Sequence, residues 1–109
     1  MTRYYTSVVE RENIDWRHRG AYIRTRSTRR SGETDIDPDW ASEAAADPAA
    51  QVIDPDPASK SGRSARVIGY SPTADMVITV IVLEDERITY GVNAWRANPS
   101  DERDYWEST

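Results

Sequence analysis

The sequence predicts an α+β domain: N-terminal helices packed on a small antiparallel β-meander of three to four strands, followed by a C-terminal helix. Three observations carry this expectation. Asp37-Pro38-Asp39-Trp40 is a helix start, in which Asp37 caps, Pro38 suits the first helical position and Asp39 complements the helix dipole. Residues 76–83 form an almost unbroken apolar run, as expected of a central strand buried on both faces. Asn98-Pro99-Ser100-Asp101 repeats the order of cap, proline and first-turn acid.

Residues 1–12 are ambiguous, because Tyr4, Tyr5, Val8 and Val9 suit either a short strand or a first helical turn. Residues 13–27 read as a helix capped by Asn13 or Asp15, with Trp16, Tyr22 and Ile23 as its apolar stripe. Gly20 is unfavourable inside it. Residues 28–34, with Arg29, Arg30, Ser31 and Gly32, read as an exposed basic loop. The helix begun at Asp37 puts Trp40, Ala41, Ala44 and Ala45 on one face and stops at Pro48. Residues 51–53 suit a short edge strand, and the Asp-, Pro- and Ser-rich stretch 54–62 is a loop. Strands over 63–70 and 76–83 flank a turn at 71–75, and 84–86 makes a tight connection to 87–95. There the alternation directs Ile88, Tyr90, Val92 and Ala94 one way and Thr89, Gly91, Asn93 and Trp95 the other. Short connections imply antiparallel neighbours. The last helix runs to about residue 106.

The 109 residues amount to one domain, 1–109, in which a basic helical segment, 1–34, precedes a core, 35–109. There is no cysteine and a single histidine, His18, which excludes disulfides, thiolate metal sites, a cysteine nucleophile and the usual Ser-His-Asp triad. No metal or cofactor is expected. His18, in the basic helix, reads as a surface or packing residue. No apolar run approaches the roughly 20 residues of a membrane span, and no basic-then-apolar leader begins the chain. The expected location is cytoplasmic, with no membrane partner. The acidic pairs Asp35/Asp37, Asp54/Asp56 and Glu84/Glu86 lack the ligand spacing of a calcium site and read as solvated turn residues.

The net charge of −5 hides an asymmetry: residues 1–33 hold eight arginines against four acids, +4, and residues 34–109 hold six basic groups against fifteen acids, −9. All but one of the 14 basic residues are arginine, the planar donor suited to phosphate and to interface carboxylates. Such a segment either pairs with the acidic remainder of its own fold or meets a polyanion. By alternation, Arg66, Ile68 and Tyr70 share one strand face, and Thr89, Asn93 and Trp95 share another, with Arg96 and Arg103 close by. If those faces coincide, arginines, a hydroxyl, an amide and an indole meet on a surface able to hold phosphates by charge and bases by stacking. The alternative is that Tyr70 and Trp95 pack under the helices.

The order of motifs in residues 40–107 resembles the BrnT family of bacterial toxins. Trp40-Ala41-Ser42-Glu43-Ala44-Ala45-Ala46-Asp47-Pro48 is similar to the family's helix ending in Glu-Ala and Asp-Pro. Arg66-Val67-Ile68-Gly69-Tyr70-Ser71 is similar to "R-x-x-x-I-G-R-S". Val92-Asn93-Ala94-Trp95-Arg96-Ala97 resembles "I-S-A-R-K-A", and Glu102-Arg103-Asp104-Tyr105 resembles the closing helix. The resemblance implies a RelE-like ribonuclease fold and the toxin role of a type II toxin–antitoxin system. It also implies a cognate antitoxin partner of the small ribbon–helix–helix DNA-binding kind. Family RNA cleavage of this sort needs no metal and stabilises phosphate charge with basic side chains. Arg66 matches the family's strand arginine. Tyr70 and Trp95 stand where the family has arginines, Arg96 replaces a lysine, and the N-terminal "K-H-G" element has no counterpart here.

Three functions follow as expectations. The first is a metal-independent ribonuclease toxin, with Arg66, Tyr70 and Arg96 as catalytic residues and Arg24, Arg26, Arg29, Arg30, Trp95 and Arg103 holding RNA. The second is a catalytically inactive toxin-fold module that pairs with an antitoxin-like or RNA partner. The third is a DNA-binding protein using residues 17–30, without helix-turn-helix spacing to support base readout. A homodimer is compatible with each.

Overall fold

The computed structural model describes residues 10–108. The expectations placed on Tyr4, Tyr5, Val8 and Val9 lie outside those residues. The element order is α1 (Gly20–Arg24), α2 (Arg26–Arg29), α3 (Pro38–Ala45), β1 (Gln51–Ile53), β2 (Ser64–Ser71), β3 (Met76–Asp85), β4 (Ile88–Arg96) and α4 (Pro99–Ser108). The four strands form one antiparallel sheet in the order β1-β2-β3-β4, so the α+β meander of the sequence reading is the observed fold. Among the described residues, no helix is long and apolar enough to cross a membrane.

The two central strands explain the core. Val67, Ile78, Val80, Val82 and Ala94 point to the inner face of the sheet. There they meet Ile23 of α1, Ile36, and Ala41, Ala44 and Ala45 of α3. Burying each Val or Ile contributes about 1.5–3 kcal/mol. The helix α3 begins as the sequence predicts: the Asp37 carboxylate accepts the Asp39 N–H at 2.8 Å and Pro38 occupies the first turn. It lies so close to β2 that a Cβ at Gly69 would sit 1.9 Å from the Ala44 carbonyl oxygen. On the outer face, α4 covers Ile68 and Val77 with Ala97 and Tyr105. Its start is fixed by Asn98, whose Oδ1 accepts the Asp101 N–H at 2.8 Å.

Four expectations are corrected. The single helix over 13–27 is instead two short helices after an extended start. Asp15 pairs in parallel with Tyr90, donating to the Thr89 carbonyl and accepting from Gly91 N–H, both at 2.8 Å, so it cannot cap a helix. The basic loop of 28–34 begins one residue after α2 ends at Arg29. The tight connection falls at Glu86-Arg87, both with positive φ (50° and 70°). Finally, β4 is bulged: Ile81 pairs with Asn93 and Val82 with Gly91, leaving Val92 unpaired. The extra residue reverses the alternation. Thr89 and Gly91 face inward with Ala94, while Tyr90, Asn93 and Trp95 share the outer face.

Candidate functional site

The bulge decides what meets on the outer face. Trp95 pairs with Thr79, which pairs with Ile68, so the indole stands on the same face as Arg66 and Tyr70. Thr89, grouped with Trp95 by simple alternation, faces the other way. The Arg66 guanidinium lies 5.7 Å from the centre of the Trp95 ring, and that of Arg26 lies 5.9 Å from it. Two cations against one indole are held there by fixed partners. Arg66 Nε donates to Asp56 Oδ1 at 3.0 Å. Asp56 is only 5% exposed and also accepts from Ala58 N–H, so this member of an acidic pair is a buried ion-pair partner and not a solvated turn residue. Arg26 donates to Glu33 Oε1 from Nε (3.1 Å) and Nη2 (2.8 Å), and from Nη1 to Asn93 Oδ1 and the Ala94 carbonyl.

The arginines of the N-terminal segment divide into two classes. One class closes the open edge of β4. Arg19 Nε donates to the carbonyl of the bulged Val92 at 3.1 Å, and Arg26 Nη1 reaches Ala94. With Asp15 N–H on Thr89, three outward carbonyls of this edge strand are satisfied from residues 15–26. Arg29 shares this structural character: it bonds the Tyr22 carbonyl and lies 3.9 Å over the Tyr22 ring, which Arg19 also meets, at 4.1 Å. The other class is exposed. Among the described residues, the side chains of Arg24, Arg30, Arg96 and Arg103 carry no hydrogen-bond or ion-pair partner.

Arg30 and Arg96 stand on a groove of about 420 Å³ between the loop after α2 and the end of β4. Arg26, Glu33 and Trp95 complete its working wall, and Asn98 ends it. A smaller hollow of about 170 Å³ continues past Glu33 toward Tyr22 and Arg29. No family profile, curated protein or solved structure matches the chain. The arrangement therefore speaks through its own geometry.

The structure brings Arg26, Arg30, Trp95 and Arg96 to one groove, and Arg66 lies 5.7 Å from the same indole without lining that groove. It does not bring Arg66, Tyr70 and Arg96 together. Arg96 pairs with Ile78 and belongs to the inner-face parity of the sheet, opposite Arg66 and Tyr70. The Tyr70 hydroxyl donates to Asp75 Oδ1 at 2.5 Å, and this bond, with some burial, raises its pKa. That is the wrong direction for a base. Arg24 and Arg103 lie outside the groove wall. His18 is exposed and sits 5.3 Å from the Tyr90 ring.

Sequence reasoning missed Glu33 and Asp56. Glu33 is seven residues from Arg26, off any helical spacing, and Asp56 lies in a loop whose composition signals only a turn.

Proposed function

We propose that this chain is the toxin component of a type II toxin–antitoxin system, a divergent BrnT-like protein that acts on RNA without a metal. The supporting observation is the groove beside β4, where Trp95 has the guanidinium groups of Arg26 and Arg66 at 5.9 Å and 5.7 Å from its ring centre and two arginines without partners, Arg30 and Arg96, complete the wall. Guanidinium groups take phosphate oxygens in pairs, and an indole takes a base. Arg26 and Arg66 are already neutralised by Glu33 and Asp56, so they position; Arg30 and Arg96 carry the charge that a phosphate would meet. The motif order over residues 40–107 supports the toxin role, and with it a cytoplasmic location and a small ribbon–helix–helix antitoxin.

A second reading is favoured by one observation. Arg66, Tyr70 and Arg96 do not converge, so those three residues do not assemble a cleavage site. A toxin-fold module that binds RNA, or an antitoxin-like partner, and cuts nothing fits that geometry.

Induced expression of the chain alone in a bacterial host, with total RNA examined in parallel, separates the two. Growth arrest with cleaved transcripts supports the ribonuclease. Normal growth with intact RNA, while the pure protein binds single-stranded RNA, supports the silent module. Arg30→Ala and Arg96→Ala should each weaken RNA binding across all sequences and flatten its salt dependence by about one unit of slope. Wild-type protein that neither arrests growth nor binds RNA would sink the ribonuclease and the RNA-binding module, and leave only a module that pairs with an antitoxin-like partner.

A further inference from the structure

Among the described residues, Glu33 is the one acid on the groove wall, and its two carboxylate oxygens are unlike. Both contacts from Arg26 go to Oε1. Among the described residues, Oε2 carries no partner. The side chain is 29% exposed, so water and ligands reach it. The two donors of Arg26, itself fixed on Asn93 and Ala94, set the position of the carboxylate. This is the arrangement of a base held by an orienting group, with cations without partners at the same wall.

We propose that the groove is a ribonucleotide site in which Glu33 Oε2 is the general base for strand cleavage. The inference rests on the RNA-acting reading above and goes beyond it by moving the chemistry from Arg66 and Tyr70 to Glu33. Glu33 Oε2 takes the proton of a ribose 2′-hydroxyl as O2′ forms its bond to the adjacent phosphorus. The P–O5′ bond breaks, and the departing O5′ takes a proton from water. Glu33 gives its proton back to the hydroxide so formed, and no net proton is consumed. Arg30 and Arg96 face the charge that builds on the phosphoryl oxygens, and Arg26 holds the base in place. The products are a 2′,3′-cyclic phosphate and a free 5′-hydroxyl.

The test uses the full chain, a short mixed-sequence single-stranded RNA, the DNA of the same sequence, and a chelator throughout. Wild type is expected to cut the RNA to cyclic-phosphate ends and to leave the DNA intact. Glu33→Gln retains an oxygen for Arg26, so it should still fold and, with one acid fewer in the groove, bind the RNA at least as tightly as wild type while cleavage falls roughly 100-fold or more. Should that variant fold poorly, Glu33→Asp keeps the carboxylate but shortens its reach, and it must also slow cleavage without weakening binding. Cleavage at the wild-type rate by folded Glu33→Gln, cleavage of the DNA, or linear 3′-phosphate ends formed from the outset would overturn the role of Glu33 and leave the RNA-acting reading standing. Tight binding with no cleavage by wild type overturns the inference in favour of the silent module. Neither binding nor cleavage removes the reading together with the inference.

Discussion

Arg66 is the residue that the family resemblance marks most strongly, and its neighbours give it a second role. It closes an ion pair on Asp56, a carboxylate that the 54–62 loop buries to 5% exposure. Removing one partner of such a pair leaves a charge without compensation, which costs more than the pair contributes. Arg66→Ala should therefore lower stability by about 3 kcal/mol, the lower end for a buried pair, because Arg66 itself is 21% exposed. Loss of activity in that variant alone says nothing of chemistry. The double change Arg66→Met with Asp56→Asn removes both charges, and urea denaturation should show it more stable than Arg66→Ala. Equal stabilities would mean that Asp56 is not desolvated in solution. At this scale the sequence was half legible. Arginine-rich composition pointed to the groove, but which arginines are spent internally is set by long-range partners. Arg26 bonds Asn93, 67 residues away, and Arg19 bonds Val92, 73 away. No local pattern encodes those pairings.

The elements were more legible, and their departures have causes. Cap and proline signals located α3 and α4, and the apolar run located β3, because these depend on neighbours in sequence. The helix over 13–27 failed because tertiary structure overrode propensity: the open edge of β4 needed donors, and Asp15 supplied a strand-like pairing. The bulge at Val92 was invisible to alternation, since one extra residue preserves composition while reversing the faces. The β3–β4 turn carries a cost that can be removed. Glu86 and Arg87 both adopt positive φ, where a side chain costs about 1 kcal/mol and Asn-Gly is preferred. Glu86→Asn with Arg87→Gly should raise stability by about 1 kcal/mol in denaturant titrations, and no change would mean that the turn relaxes elsewhere. Gly69→Ala should act in the opposite direction. Its Cβ would meet the Ala44 carbonyl oxygen, a backbone atom that can move only with the whole of α3. A loss of about 3 kcal/mol is expected, and a folded variant of unchanged melting temperature would show that α3 does not press on β2.

At the scale of the whole molecule, Asp47 gathers distant segments onto one carboxylate. Its Oδ2 accepts the Tyr70 N–H of β2 at 2.9 Å and the Tyr105 hydroxyl of α4 at 2.5 Å, while its backbone carbonyl accepts from Arg11. Burial pushes the Asp47 carboxyl up, but the hydrogen bonds from Tyr105, Ala49 N–H and Tyr70 N–H outweigh it and hold it below the ordinary aspartate value. The same bond acts oppositely on its donor: burial first, then the hydrogen bond and charge of Asp47, push the Tyr105 hydroxyl up to about 12. Two windows of pH dependence follow. A lowered carboxyl contributes stability that is complete above its unfolded pKa and is lost as pH falls through the folded value. A raised phenol contributes stability that is complete below about pH 10 and is lost between about pH 10 and 12, where the unfolded chain ionises first. The alkaline term is on the order of 2 kcal/mol. Tyr105→Phe removes it, so the variant should be less stable than wild type by about 1.5 kcal/mol near neutrality, the worth of a hydrogen bond to a charged group. As pH rises past about 10, the wild-type advantage should shrink toward zero, because only wild type has this proton to lose. Urea denaturation of both proteins from about pH 8 to about pH 11.5 measures the difference directly. A gap that stays constant across that range would mean that Tyr105 and Asp47 do not share the bond that ties α4 to the sheet.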